Sequence, residues 1–220
     1  MEALLHQFFN LEVMARAWPI MLKGAGLTVL LCLAVVPLGL IGGLGVALVS
    51  TSPLRRIRWP VVVLVDIFRA VPPLALLIFI SAGLPFAGIR LSPFMAVVLS
   101  FFLNNSAYYG EIIRAGIESI GKGQHDAARS TGLSAWQTQA YVILPQALRN
   151  VLPDLVSNTI EVVKLTSLAS VVAFAELLYA AEMARSVTYN ASPLVMAAAM
   201  YLVLLWPAVR LASGLEHKLR

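Results

Sequence analysis

Residues 24–54 read GAGLTVLLCLAVVPLGLIGGLGVALVSTSPL. No side chain in this run is charged. A helix of about 20 apolar residues already crosses a hydrocarbon core roughly 30 Å thick. The rest of the chain has the same character: of 220 residues, 60% are apolar and only 12% charged, and the mean hydropathy is +0.84. Soluble domains run near 45–50% apolar and about 25% charged. Such a chain lacks the polar surface of a soluble monomer, and its composition is the opposite of a disordered one. Cys32 is the single cysteine, so an intrachain disulfide framework is excluded. The net charge of +5 has no Lys/Arg-rich stripe with interleaved aromatics behind it. It marks cytoplasmic loops rather than a nucleic-acid partner. An integral membrane protein remains.

Working outward from that first span, a second runs from near Trp59 to Ile89 and includes Asp66 and Arg69. Its clean part is 70–89. Leu91 to Gly110 is a third and Val187 to Val209 the last. The segment from Val151 to Ala175 carries Asp154, Glu161 and Lys164, and reads either as a further span with its charges facing the protein interior or as a re-entrant segment; the span is favoured. Five crossings then agree with the charge bias. Arg55, Arg56 and Arg58, then Lys122, Arg129 and Arg149, then His217, Lys218 and Arg220 fall on one side, leaving Arg90 and Arg185 on the other. The positive-inside rule puts the N-terminus outside and the C-terminus in the cytoplasm. Residues 1–18 lack a basic leader and a small-x-small cleavage pattern. Leu4, Phe8, Leu11 and Trp18 fall near helical spacing and predict an amphipathic helix in the outer interface. Gly39 and Gly43 form a GxxxG pair suited to close helix packing. The predicted fold is therefore all-α and polytopic. It has five transmembrane helices, an N-terminal interfacial helix over residues 1–18, and a transmembrane domain over 19–220.

Between Glu111 and Pro153 the chain becomes polar and punctuated. Gly121 and Gly123 break the helix leaving the third span. Gln124 to Thr131 reads as a short helix stopped by Gly132, a residue suited to left-handed backbone. Ser134 and Gln137 form an S-x-x-Q capping box that starts a second short helix. Pro145 ends or kinks that helix, and Pro153 marks entry to the next span. The segment of about 118–150 is thus a compact helix–turn–helix. Gly116, Gly121 and Lys122 reproduce most of a GxxxxGK phosphate loop. The next position is Gly123 rather than Ser or Thr, however, and no strand precedes it. Nucleotide binding by this chain is rejected.

His125-Asp126-Ala127-Ala128-Arg129-Ser130-Thr131-Gly132-Leu133, followed by Leu144-Pro145-Gln146-Ala147 and Arg149, resembles the EAA loop of ABC importer permeases. Phe68-Arg69-Ala70-Val71-Pro72-Pro73-Leu74 is similar to the FRGTPLL run of the polar amino acid permeases within that class. Ala107-Tyr108 with Glu111-Ile112-Ile113-Arg114-Ala115-Gly116-Ile117 is similar to their AY..E..R.GI run. Gly123-Gln124, Lys164-Leu165-Thr166-Ser167-Leu168 and Leu215-Glu216 continue the series in order, over roughly residues 20–220. Asp126 stands for the usual Glu, Ala70 for the common Gly, and Leu165 where many members have Asp or Ala.

The resemblance implies a transport subunit rather than an enzyme. It forms the path for a polar or charged amino acid in a bacterial inner membrane. It implies two cytoplasmic ABC ATPase subunits, a second permease chain (identical or paralogous), an external solute-binding protein and the surrounding lipid bilayer as partners. This chain is expected to bind no cofactor, with ATP and Mg held by the ATPase. Coupling would fall to Asp126, Ala127, Ala128, Arg129, Gly132, Leu133 and Ser134. Charged and polar groups within the spans mark the candidate path. These are Asn158, Glu161, Lys164, Thr166 and Ser167, with Asp66 and Arg69. Glu161 with Lys164, and Asp66 with Arg69, are each i,i+3 and could instead neutralise one another. Glu111 and Arg114 are candidates for an inner gate or a structural pair.

Two other classes fit less well. A secondary transporter or channel would suit intramembrane charges, but needs no capped helix pair, and inverted repeats are absent from the sequence. A membrane-embedded enzyme would need a motif such as H-E-x-x-H. His6, His125 and His217 all lie outside the core spans.

Overall fold

The computed structural model describes the backbone of residues 1–219 and side chains through Arg210. The basic end at His217, Lys218 and Arg220 and the Leu215-Glu216 pair lie outside the residues whose side chains are described. The described residues are helical, with no strand among them. The helices are α1 (Glu2–Phe8), α2 (Leu11–Ser50), α3 (Arg55–Ala70), α4 (Pro73–Ile78), α5 (Pro93–Glu118), α6 (Lys122–Ser130), α7 (Ala135–Gln137), α8 (Leu144–Asn150), α9 (Leu152–Leu165), α10 (Leu177–Thr188) and α11 (Ser192–Leu219). Among the described residues three helical stretches are long and apolar enough to span a membrane: Glu2–Ser50, Leu152–Val172 and Ser192–Arg210. The chain is a multi-pass membrane protein.

Three elements differ from the sequence expectation. Residues 1–18 are not one helix. The side-chain oxygen of Asn10 accepts the N–H groups of Glu12 and Val13 at 3.1 and 3.2 Å, capping α2 and separating it from α1. The second crossing is not one run, because Arg55–Ala70 and Pro73–Ala87 are bent by 101°. Val71 is extended (φ −77°, ψ 126°), the conformation that a following proline imposes, and Pro72 is followed by Pro73. The last span begins at Ser192 rather than Val187, since α10 continues to Thr188 and Tyr189 turns the chain with φ +51°. α5 was expected as a span and its 26 residues reach about 39 Å. Its apolarity is diluted by Ser100, Asn104, Asn105 and Ser106, all buried.

The chain divides into two compact units. The first comprises Met1–Val36, Pro73–Ser100 and Ile160–Arg210. Its core joins Ala17 and Met21 of α2 to Leu177, Ala180 and Ala181 of α10 and Met196 and Ala197 of α11. Small residues let these helices approach, as expected where lipid supplies no hydrophobic drive between them. Glu176, wholly buried, caps α10 by accepting the N–H groups of Leu178 and Tyr179 at 2.8 Å and the Tyr201 hydroxyl at 2.7 Å. α1 is held to the α10–α11 turn. Asn190 donates to the His6 carbonyl at 2.8 Å, Ala191 N–H donates to the Gln7 carbonyl at 3.0 Å, and Asn10 N–H donates to the Ser192 hydroxyl at 2.8 Å.

The second unit is built mainly from Pro37–Pro72 and Phe101–Thr159. Gly39, Gly42 and Gly43 on α2 face α5. A Cβ at Gly43 would lie 2.5 Å from the Tyr109 Cβ and 2.9 Å from the Gly110 nitrogen. The glycine pattern is therefore a helix contact in which the backbones themselves approach.

Candidate functional site

The helix–turn–helix at 118–150 lies wholly in the second unit. α6 ends at Ser130, and Gly132 adopts φ +86°. The capping box forms in both directions: Ser134 N–H donates to the Gln137 side-chain oxygen at 2.8 Å, and Gln137 N–H donates to the Ser134 hydroxyl at 3.2 Å. Arg129 closes the turn by donating to the Leu133 carbonyl at 2.9 Å. The Thr131 hydroxyl donates to the Ala128 carbonyl at 2.8 Å, and the Ser130 hydroxyl donates to the Asp126 carbonyl at 2.9 Å. Two further bonds tie the segment down. Gln146 donates to the Gln124 side chain at 3.3 Å, and Asn150 donates to Ser119 at 3.1 Å.

Of the seven residues singled out here, Ala128 is buried and Leu133 half-buried. Asp126, Ala127, Arg129, Gly132 and Ser134 are exposed. The structure thus brings them together on one hydrogen-bonded element with an accessible face. Pro145 does not end the second helix. A π-helical stretch over Thr138–Ile143 precedes it, Pro145 stands in the first turn of α8, where a missing N–H is tolerated, and α8 continues to Asn150.

A charged cluster sits on α3 and α5 of the same unit. Arg114 donates to Glu111 at 2.6 and 2.9 Å and to Glu118 at 2.6 Å. Arg69 approaches Glu111 at 3.7 Å, and its guanidinium lies 5.7 Å from the Tyr108 ring centroid. Tyr108 donates to the Arg69 carbonyl at 3.2 Å, and Asn104 donates to the Phe68 carbonyl at 2.9 Å. Arg69 is therefore partnered by Glu111 rather than by Asp66. Asp66 instead lines a polar cavity of about 270 Å³ with Arg58, Glu111, Arg114 and Glu118.

The remaining candidates lie along α9 and the 3-10 turn that follows it, Thr166–Val172. Lys164 and Glu161 form an ion pair at 2.6 Å with both side chains more than half exposed. Ser167 is also accessible and donates to the Lys164 carbonyl at 2.8 Å. Thr166 is fully buried and its hydroxyl is spent on the Val163 carbonyl at 2.6 Å. These four belong to the first unit. Asn158 belongs to the second, with its side-chain nitrogen buried. In that unit the Tyr109 hydroxyl and the Thr159 hydroxyl are hydrogen-bonded at 2.8 Å.

Sequence reasoning missed Glu176 because Glu is not among the strong N-cap types. Tyr108 was seen as part of a motif, but its clasp on Arg69 joins residues 39 apart and needs the fold.

A family model described as the inner membrane component of binding-protein-dependent transport systems matches residues 17–220. A probable amino-acid ABC transporter permease, YckA of Bacillus subtilis, is 38% identical over 77% of this chain and 75% of its own length. The arginine transport system permease ArtQ of the same organism is 32% identical over 92% of this chain and 93% of its own. A chain from a crystal structure of an amino acid ABC transporter with histidines superposes with a TM-score of 0.84 at 35% identity, covering 93% of this chain and 96% of that one. An inward-facing MetNI methionine transporter chain has a TM-score of 0.76 at 18% identity and shares the fold. This chain belongs to the family of inner membrane components of binding-protein-dependent transport systems, the ABC transporter permeases.

Proposed function

We propose that this chain is the permease subunit of an ATP-driven importer for a polar or charged amino acid. It crosses a bacterial inner membrane five times, with its N-terminus outside and its C-terminus in the cytoplasm. Two copies, or this chain and a paralogue, enclose the path. Two ATPase subunits bind the cytoplasmic face, and a solute-binding protein delivers substrate outside. The observation that carries this reading is the exposed, doubly capped turn from Asp126 to Ser134, in a chain whose relatives are named as amino acid permeases. A cross-linked helical segment outside the spans transmits displacement to its neighbours, whereas an uncapped loop would absorb it.

Charged groups at membrane depth normally face a cavity or pathway rather than lipid. The exposed Glu161–Lys164 pair therefore lines the path, with the Ser167 hydroxyl as a hydrogen-bonding group for the substrate. Thr166 shapes the turn that presents Ser167. Arg69 and Glu111 tie α3 to α5, with Arg114 held on Glu111 and Asp66 facing the adjoining polar cavity. A test is extraction of the tagged chain from its native membranes in mild detergent, with stoichiometric partners identified by mass spectrometry. An ABC ATPase at equal stoichiometry is expected. An intact chain repeatedly free of ATPase, beside a known importer that keeps its own, would overturn the assignment.

A further inference from the structure

The polar cavity of the second unit leaves two opposite charges unused. It encloses about 270 Å³, and its polar lining is Ser50, Arg58, Asp66, Glu111, Arg114 and Glu118. Arg114 occupies both glutamates, donating to Glu111 at 2.6 and 2.9 Å and to Glu118 at 2.6 Å. The side chains of Arg58 and Asp66 make no ion pair or hydrogen bond among the described residues. Both stand on α3, eight residues or about 12 Å apart along its axis, and they do not reach one another. Ser50 is a third unused group. It is only 5% exposed, it lines the same cavity from the end of α2, and its hydroxyl has no hydrogen-bond partner among the described residues. A buried hydroxyl is costly to leave unpaired, so the cavity wall is incomplete without something to meet it.

We propose that this cavity binds a zwitterion, a primary ammonium beside an anionic group, as carried by a free amino acid or by the ethanolamine phosphate head of a lipid. The Arg58 guanidinium takes the anion. The ammonium has three N–H donors and takes the Asp66 carboxylate and the Ser50 hydroxyl. The three acids around the cavity oppose a bare anion. A hard metal ion needs several free oxygen ligands, and only one of the three carboxylates is free of Arg114. A lone ammonium ion leaves Arg58 unpaired. Arg58, Asp66 and Glu118 are exposed, so the cavity is open to a ligand. The site belongs to the second unit, whereas Glu161, Lys164 and Ser167 belong to the first. It involves no ATPase, and its binding is read on the chain itself.

The test puts a thiol on the cavity wall by Ser50→Cys in the full-length chain, with Cys32→Ser removing the native one. The purified chain is placed in nanodiscs of phosphatidylglycerol, alone or with phosphatidylethanolamine or phosphatidylcholine added. Labelling by a water-soluble methanethiosulfonate is followed with and without glycine. Protection by glycine in phosphatidylglycerol discs supports the proposal with a free amino acid as the source. Protection by phosphatidylethanolamine but not by phosphatidylcholine, whose quaternary ammonium has no N–H, supports it with the lipid head as the source. With Arg58→Gln or Asp66→Asn added, the ligand needed for half-protection should rise about thirty-fold, the loss of one charge-assisted hydrogen bond. The thermal midpoint of the unsubstituted chain should rise with the same ligand, a readout that needs no variant to fold. Protection by neither ligand, or protection undiminished in both charge variants, would overturn the proposal. So would a thiol at position 50 that never reacts, as when a second permease chain fills the cavity. The importer reading stands under each of these results.

Discussion

Gly132 is the residue on which the turn of the 118–150 segment depends. Its φ of +86° suits glycine, and no atom lies within 4 Å of where a Cβ would stand. Any penalty for substitution is therefore backbone strain rather than collision, about 1–2 kcal/mol for an ordinary L-residue and more for a β-branched one. Gly132→Val is expected to abolish transport while membrane insertion persists, and Gly132→Asn to retain much of it, because Asn tolerates left-handed backbone. Uptake assays beside membrane fractionation check both. Normal uptake by the valine variant would contradict the role given to the turn. Glu161 makes a second residue-scale case. If the Glu161–Lys164 pair lines the path, Glu161→Ala shifts preference among cationic, neutral and anionic amino acids in competition assays. An unchanged ranking at equal abundance would leave the pair a purely local neutralisation.

At the scale of elements, the α2–α5 contact makes a sharp contrast between neighbouring glycines. A Cβ at Gly43 meets α5 backbone, whereas one at Gly45 meets nothing within 4 Å. Gly43→Ala must force the helices apart, at a cost of about 1–3 kcal/mol typical of overpacking, and should lower the thermal midpoint by several degrees. Gly45→Ala should leave it unchanged. Thermal unfolding in detergent distinguishes them, and equal midpoints would show that α2 and α5 do not pack through Gly43. The capping box adds a similar test, since Ser134→Ala removes one of its two bonds and should cost about 1 kcal/mol. Hydrogen exchange at residues 135–137 would report it, with unchanged protection counting against the cap.

These elements also show what sequence can reveal. The Gly132 stop and the Ser134 box were legible because each is a local rule acting over a few residues. The break at Val71–Pro72–Pro73 was present in the sequence but was overridden by reading the apolar run as one crossing. α10 went unread because its cap is a buried Glu176 completed by Tyr201, 25 residues away. The partnering of Arg69 with Glu111 rather than Asp66 likewise depends on the packing of α3 against α5, which i,i+3 spacing does not encode.

At the scale of the whole molecule, the composition, the spans and the family agree on a membrane permease, whose transport we propose is driven by ATP hydrolysis on a partner. The most direct measurement is uptake of radiolabelled amino acids into proteoliposomes holding the purified assembly. ATP is trapped with the ATPase-facing side, the solute-binding protein is added to the other, and Gly132→Val serves as a control. Uptake of at least one polar amino acid is expected to require both ATP and the binding protein and to be lost in the Gly132→Val assembly. Uptake that persists without ATP and follows an imposed proton or sodium gradient would contradict it, and would place the chain among secondary transporters.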